Sequence, residues 1–315
     1  MRFLITGIAG FAGRHLTALL LDKGHEVYGT VHRHAGVGEM VSQFPPLAQR
    51  LQVVDVLAAE PVAQAIASVQ PDGVFHLAAT TFVPDSVADP ATAMRVNVLG
   101  ALHVFAAVAR HAPSCRVLAV GSGDAYGAVQ PDELPVRESC PFRPLSPYGA
   151  SKAALDLLGY QWAHGGGLDV VRVRAFNHTG PGQRPDFVCP DFARQLVAVA
   201  RGERRPVLEV GDLDLVRDFS DVRDVVAAYL AAWERATSGE AYNVCSGVGH
   251  SVRSLLDTLS DIVGVQVQTA VASDRLRRAS VPILVGSADK LRAATGWAPR
   301  YAFRDTLTAV VDDWR

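Results

Sequence analysis

The chain has 315 residues, 49% of them hydrophobic, and its 30 basic side chains nearly balance 32 acidic ones. This length allows one large or two ordinary domains with a sizeable core. A near-neutral charge gives no reason to expect nucleic acid or an anionic membrane as a partner, so neither is predicted.

Four cysteines lie far apart, at positions 115, 140, 189 and 245, without the short paired spacing of a metal or redox site. We therefore predict no metal site and no disulfide framework. The apolar run at the N-terminus is too short for a signal peptide, and no stretch suggests a membrane span. These features favour a soluble protein of the cytoplasm.

A β-branched and aromatic run over residues 2–6 leads into a turn containing Gly7, Gly10 and Gly13, and an apolar-periodic segment follows to residue 21. This order predicts strand, turn and helix. Glycines let the backbone approach a pyrophosphate, and the free N–H groups at a helix start attract its charge. The turn, including Phe11 and Ala12, is therefore predicted to bind a dinucleotide; the alternative is a purely structural turn.

A second strand is predicted over residues 26–31, with its end beside the adenosine ribose. NAD-specific sites usually have a carboxylate at this point, but here His32 and Arg33 follow the strand. A cation suits a 2′-phosphate, so the sequence favours NADPH over NADH, with Arg33 as the contact. The alternative is that Arg33 is a solvated surface residue.

Further strands are predicted over residues 51–56, 73–79, 115–121 and 168–174, with helices over 58–68 and 90–111. This alternation predicts an α/β fold with a doubly wound parallel Rossmann sheet. Ligands bind at the carboxyl ends of such strands. The cofactor contacts expected there are Asp55, Val56, Leu77, Ala78 and Ala79.

Tyr148 and Lys152 are four residues apart on a predicted helix, so their side chains share one face. A nearby ammonium favours the phenolate and lowers the pKa of a Tyr, and an amine can also hold a ribose hydroxyl. We predict that this pair donates a proton and contacts the cofactor. Ser122, at the end of the fifth strand, is expected to donate to the same substrate oxygen.

The glycine turn, residues 76–79, Ser122 and the Tyr148/Lys152 pair, in that order, resemble the extended short-chain dehydrogenases/reductases that act on nucleotide sugars. Within that group, residues 174–183, 191–195, 216–224 and 242–247 resemble the branch of GDP-mannose dehydratases and GDP-4-keto-6-deoxymannose reductases, and the reductases more closely. The resemblance covers nearly the whole chain.

The resemblance implies a homodimer with a dinucleotide domain of residues 1–175, which also receives about 217–246. Residues 176–216 and 247–315 would form a smaller substrate domain. Asp124 and Asn97 would support catalysis. The substrate contacts would be Thr80, Ser122, Asn177, Arg217 and Arg277, the two arginines holding a diphosphate, for which a surface salt bridge is the alternative.

The residues after Ser122 distinguish a 4,6-dehydratase from a ketone reductase. Nucleotide-sugar 4,6-dehydratases carry two extra acid–base groups there, whereas this chain has Gly123, without a side chain, and Asp124, shorter than the usual Glu. Acid–base catalysis at C5 and C6 of the sugar is therefore poorly provided for, and ketone reduction needs none of it.

We therefore expect NADPH-dependent reduction of the C4 ketone of a nucleotide-linked 4-keto-6-deoxy sugar. By resemblance the substrate is GDP-4-keto-6-deoxy-D-mannose and the product GDP-D-rhamnose. The first alternative is a dehydratase or 4-epimerase that recycles its bound cofactor. The second is a non-catalytic NADP-sensing protein, because fold does not fix function.

Overall fold

Seven parallel strands form the central sheet of the computed structural model, which describes residues 1–272 and 281–315. The strands are β1 (Arg2–Thr6), β2 (Glu26–Val31), β3 (Leu51–Val53), β4 (Gly73–His76), β5 (Arg116–Ser122), β6 (Val170–Ala175) and β10 (Ala241–Val244). Their order is β10-β6-β5-β4-β1-β2-β3. The strand order reverses between β1 and β4, and ligands of open α/β sheets bind at such a point. The predicted doubly wound α/β fold is confirmed.

Helices cover both faces of this sheet and bury two apolar clusters against it. One face carries α1 (Phe11–Asp22), α2 (His34–Gln43), α9 (Val222–Arg235) and α11 (Asp289–Thr295). The other carries α3 (Ala59–Val69), α6 (Gly100–His111) and α7 (Pro147–His164). The inner strands β4 and β6 are wholly buried, as expected when helices cover both faces, whereas the edge strand β3 is partly exposed.

The helix predicted over residues 90–111 consists of α5 (Pro90–Met94), a π-helical turn over Arg95–Leu99, and α6. Within the described part of the chain, one helix, Pro90–His111, is long and apolar enough to cross a membrane by length and composition alone, whereas the sequence predicts no such span. Its composition is that of a core helix, because Val104, Phe105 and Val108 are fully buried against the sheet.

A smaller set of elements forms the other side of the molecule. In it β9 (Val216–Asp221) pairs with β7 (Asn177–Thr179), β11 (Gly249–Ser251) and β13 (Ile283–Leu284), while β8 (Val207–Val210) pairs with β12 (Gln268–Val271). A third apolar cluster lies among α8 (Val188–Ala200), α10 (Val252–Val263) and α12 (Phe303–Asp312). This cluster gives the second half of the chain a core of its own.

The chain passes several times between the two parts, because α11 packs on the main sheet and α12 belongs to the third cluster. After β9 it returns to the main sheet through α9 and β10, and β10 pairs with β6 in parallel register. The β9 segment itself belongs to the smaller sheet. We propose that the dinucleotide domain consists of residues 1–175 together with a returning segment that begins at α9 rather than at residue 217.

Candidate active site

A cleft of about 1510 Å³ lies at the carboxyl ends of the central strands. Pockets for one drug-sized ligand measure about 300–1,000 Å³, so the cleft has room for a cofactor and a second ligand. Most of the predicted site residues line it: Gly7, Gly10, Phe11, Ala12, Gly13, Asp55, Val56, Leu77, Ala78, Ala79, Thr80, Ser122, Asp124, Tyr148, Lys152, Asn177 and Arg217.

Three predicted residues stand apart from this list. Arg33 is exposed at the N-cap of α2 and does not line the cleft. Asn97 is buried behind the lining. Arg277 lies outside the described residues.

The glycine turn leaves no space for side chains. Gly7 has a φ of +72°, and a Cβ there would lie 2.9 Å from the backbone of Ala78. A Cβ on Gly13 would lie 2.5 Å from the carbonyl oxygen of Ile8. Gly10 is the N-cap of α1, whose start has neither a side-chain cap nor an acidic residue in its first turn. Free N–H groups at a helix start and a close backbone fit a pyrophosphate, so these residues suit a dinucleotide.

Ser122, Asp124, Tyr148 and Lys152 meet in the cleft between β5 and α7. Ser122 Oγ accepts a hydrogen bond of 3.2 Å from the Asp124 backbone N–H, and its hydroxyl also bonds the Tyr148 side chain. Lys152 Nζ donates to the Val120 carbonyl at 2.9 Å and lies 6.0 Å from the centre of the Tyr148 ring. The predicted constellation is therefore brought together.

The expected lowering of the Tyr148 pKa is not found in this structure. Burial of the phenol raises its pKa, the negative charge of Asp124 raises it further, and the hydrogen bond from Ser122 opposes both. Lys152 Nζ is bonded to the Val120 carbonyl. Tyr148 thus keeps its proton at neutral pH, which is the form that a proton donor requires.

The group that changes charge near the working pH is Lys152. It is only 5% exposed, and burial lowers its pKa to about 8. His76, buried beneath it and joined by Nδ1 to Thr6 Oγ1 at 2.8 Å, has its pKa lowered to about 3 by burial and by the Lys152 charge. Near neutral pH His76 is therefore uncharged and Lys152 is cationic.

The lowered pKa of Lys152 predicts a pH dependence. A lysine is cationic below its pKa, so kcat/KM should fall as pH rises through about 8 and the cation is lost. The measurement is a pH profile of kcat/KM from about pH 6 to about pH 10. In Lys152→Arg, which stays charged, the alkaline fall should disappear even if the rate is lower. An unchanged fall in that variant would assign it to another group.

Asn97 connects the cleft wall to the catalytic helix. Its Oδ1 accepts from the Thr80 N–H at 2.8 Å, and its Nδ2 donates to the Thr80 carbonyl at 3.0 Å and to Ser151 Oγ at 2.8 Å. Ser151 in turn donates to the Tyr148 carbonyl at 2.7 Å. Asn97 lies in the π-helical turn and is 1% exposed, so its side chain faces inward.

A buried ion network holds the middle of the catalytic helix α7. Asp156, one turn beyond the catalytic lysine, accepts from Arg174 Nε at 2.8 Å and Nη2 at 3.0 Å, and also pairs with Arg172. Arg174 donates to the Tyr126 hydroxyl at 2.8 Å, and that hydroxyl donates to Asn243 at 2.6 Å. Because Tyr126 follows the Ser122–Asp124 turn directly, the network ties α7 to the turn that faces Tyr148.

The substrate side of the cleft contains Asn177 in β7 and Arg217 in β9. Arg217 Nη1 donates to the Val216 carbonyl at 2.8 Å. Beside it the fully buried Asp218 accepts from the Ser246 hydroxyl at 2.6 Å and from the backbone N–H groups of Ser246 and Gly247 at 2.8 and 2.9 Å. Asp218 thus fixes the loop after β10 next to Arg217.

The sequence reading missed some residues of the cleft. Arg14 lines it directly after the glycine turn, a position in the first turn of α1 that could have been noticed. Phe82 and Phe187 meet edge to face, with ring centres 5.6 Å apart, and join the start of α4 (Val83–Ala88) to that of α8. No local sequence pattern predicts the contact between Phe82 and Phe187, because the two residues are distant in sequence.

A parallel sheet with this glycine turn, and a Ser, a Tyr and a Lys gathered at its switch point, define an extended short-chain dehydrogenase/reductase. The family model described as GDP-mannose 4,6 dehydratase matches residues 4–310. The chain belongs to this family.

Similar proteins include enzymes of three activities. The GDP-6-deoxy-D-mannose reductase of Pseudomonas aeruginosa is 36% identical over 99% of this chain and 97% of its own length. The structure of RMD from the same organism complexed with NADPH has a TM-score of 0.87 at 35% identity, covering 99% of this chain and 98% of that one. The GDP-mannose 4,6 dehydratase 2 of Arabidopsis thaliana is 29% identical over 98% of this chain and 86% of its own length. The structure of UDP-glucose 4-epimerase from Thermotoga maritima with UDP-glucose has a TM-score of 0.88 at 27% identity. The match covers 99% of this chain and 98% of that one.

Proposed function

We propose that the protein is an NADPH-dependent reductase of the C4 ketone of a nucleotide-linked 4-keto-6-deoxy sugar, with GDP-4-keto-6-deoxy-D-mannose as substrate and GDP-D-rhamnose as product. The observation that carries the proposal is the meeting of Ser122, Tyr148 and Lys152 beside a glycine turn in one large cleft. The similarity to GDP-6-deoxy-D-mannose reductase over nearly the full length supports it.

Held by the glycine turn and by the residues at the carboxyl ends of the strands, NADPH would supply the hydride that reduces C4 of the sugar. Tyr148 donates its proton to the oxygen that gains negative charge at C4. Ser122 donates a hydrogen bond to the same oxygen, and such a donor stabilises charge as it develops. Lys152 places a positive charge 6.0 Å from the centre of the Tyr148 ring and is suited to hold a ribose hydroxyl.

The space around Gly123 argues against a dehydratase. A Cβ at this position would lie 3.1 Å from the ring of Phe176, so a side chain here would require that ring to shift by a few tenths of an ångström. Asp124 has a backbone N–H bonded to Ser122 and a carboxylate that raises the pKa of Tyr148. An acid–base pair for C5 and C6 would have to come from elsewhere, whereas ketone reduction needs only the groups present.

Cofactor stoichiometry tests this function. Purified protein is mixed with NADPH and with GDP-, dTDP- or UDP-linked 4-keto-6-deoxy sugars, and absorbance of the reduced cofactor is followed. We expect one NADPH to be consumed for each sugar reduced, fastest with the GDP sugar. Turnover of a nucleotide sugar without net oxidation of NADPH would instead support a dehydratase or epimerase. No turnover with any sugar, together with cofactor binding, would favour a sensing protein.

We also propose that the protein works as a homodimer. Apolar side chains are exposed on adjacent helices of the catalytic side: Leu157 and Tyr160 on α7, and Met94 and Leu99 around the π-helical turn. A second copy would cover this face by the two-fold symmetry most common among oligomers. Light scattering should give twice the chain mass, and Leu157→Glu should give the monomer. A monomeric wild type at micromolar concentration would contradict the dimer.

A cytoplasmic location is proposed as well. The four cysteines are free thiols, and three of them are buried. Free thiols are typical of a reducing compartment, which supports this location. Fractionation of the cells that make the protein tests it, since recovery outside the cytoplasm would contradict it.

A further inference from the structure

Two phenylalanine rings from the two parts of the molecule meet in the wall of the cleft. Phe82 directly precedes α4, which follows β4 of the main sheet, and Phe187 directly precedes α8 in the smaller part. Both line the cleft, and their ring centres are 5.6 Å apart in an edge-to-face arrangement. The first residues of the two helices, Val83 and Val188, line it as well. The rings therefore belong to an apolar stretch of the wall.

The start of α4 is bonded to the residue proposed as the proton donor. Tyr148 donates its backbone N–H to Ser86 Oγ at 3.2 Å, and Ser86 donates its own N–H to the Phe82 carbonyl at 3.2 Å. Ser86 Oγ in turn donates to the Val83 carbonyl at 2.7 Å. This fully buried serine thus holds the first turn of α4 against the start of α7. The apolar stretch therefore begins beside the residue that protonates the C4 oxygen.

We propose that Phe82 and Phe187 receive the C6 methyl group of the sugar and so select 6-deoxy sugars over sugars with a C6 hydroxyl. This inference rests on the proposed function, because it takes the C4 oxygen to bind at Tyr148 and Ser122. C6 is attached to C5, the ring neighbour of C4, so the group at C6 meets the wall around the reacting carbon. A methyl group gains from contact with two phenyl rings, whereas a hydroxyl would lose its hydrogen bonds to water there.

Two sugar nucleotides that differ only at C6 measure this selection. GDP-D-rhamnose has a methyl group at C6 and GDP-D-mannose has a hydroxymethyl group. Neither has a ketone, so NADPH is not oxidised when they bind. Each is titrated by calorimetry into protein saturated with NADPH. We expect GDP-D-rhamnose to bind about tenfold to hundredfold more tightly, the range in which an apolar pocket discriminates against one added hydroxyl.

Substitution of either ring should remove the preference. Phe82→Asn and Phe187→Asn each put a hydrogen-bonding side chain in the wall, so the ratio of the two affinities should fall to about threefold or less. The matched control is Phe303→Asn, which replaces a partly buried ring at the start of α12 that does not line the cleft. Its ratio should stay within about twofold of the wild-type ratio, because distant sites act independently.

The outcomes separate this inference from the proposed function. Equal binding of the two ligands by the wild type would overturn the inference alone, and so would a preference that survives in either Asn variant. Binding of neither ligand would overturn the proposed substrate and the inference together. If thermal unfolding shows that an Asn variant does not fold, NMR on the wild type decides. Saturation of aromatic protein protons should pass to the C6 methyl of GDP-D-rhamnose and be lost when the phenylalanine rings are deuterated, and undiminished transfer would contradict the proposal.

Discussion

Tyr148→Phe is expected to lower kcat by about a hundredfold to ten-thousandfold, the range that general acid–base catalysis contributes. The variant removes one hydroxyl, the group placed beside Ser122 to protonate the sugar oxygen. Calorimetric affinity for NADPH should stay within about threefold, because the phenol is not a phosphate ligand. Steady-state rates and cofactor titration on the same preparation give both values.

Tyr160→Phe is the matched control for this substitution. Tyr160 lies on the same helix, is half exposed, and loses the same hydroxyl. Its kcat should therefore remain close to that of the wild type. If Tyr148→Phe also retained near-normal turnover with cofactor bound, another group would be the proton donor.

Asp156→Asn is expected to lower the free energy of unfolding by about 3–5 kcal/mol, because it leaves two buried guanidinium groups without their counter-charge. The Asp156 side chain is 2% exposed, and those of Arg172 and Arg174 are 9% and 8% exposed. Urea unfolding followed by circular dichroism measures the change.

The control for Asp156→Asn is Asp214→Asn. Asp214 pairs with Arg253 at 3.3 Å, but the two side chains are 85% and 57% exposed, so solvent screens the pair. Its removal should cost at most about 1 kcal/mol. Equal effects of the two substitutions would mean that the buried network adds nothing beyond a surface ion pair.

The succession of strands along the chain and the position of the crevice followed from the sequence, because glycines and β-branched runs mark strand ends locally. The smaller sheet was harder to predict. Its strands are short, and β9 pairs with β7, β11 and β13 across long stretches of chain. Pairings of that kind depend on tertiary packing, which single-segment propensity does not capture.

Part of the site could likewise be predicted from the sequence, and part depended on the folded structure. Short motifs predicted Ser122, Tyr148 and Lys152 as site residues, because each has a fixed position relative to a strand end or a helix. The burial of Asn97 depends on a π-helical turn, and the raised pKa of Tyr148 depends on its distance from neighbouring charges. Arg33 follows β2 in sequence but is exposed and does not line the cleft. Distances and directions of this kind arise only from the folded chain.

The most direct test of the reductase uses NADPH carrying deuterium at the reactive position of its nicotinamide. The protein is given this cofactor and GDP-4-keto-6-deoxy-D-mannose, and the released sugar nucleotide is examined by mass spectrometry and NMR. We expect one deuterium at C4 of GDP-D-rhamnose for each cofactor oxidised. A product without deuterium, formed while the reduced cofactor persists, would contradict the reductase and support an enzyme that recycles its cofactor.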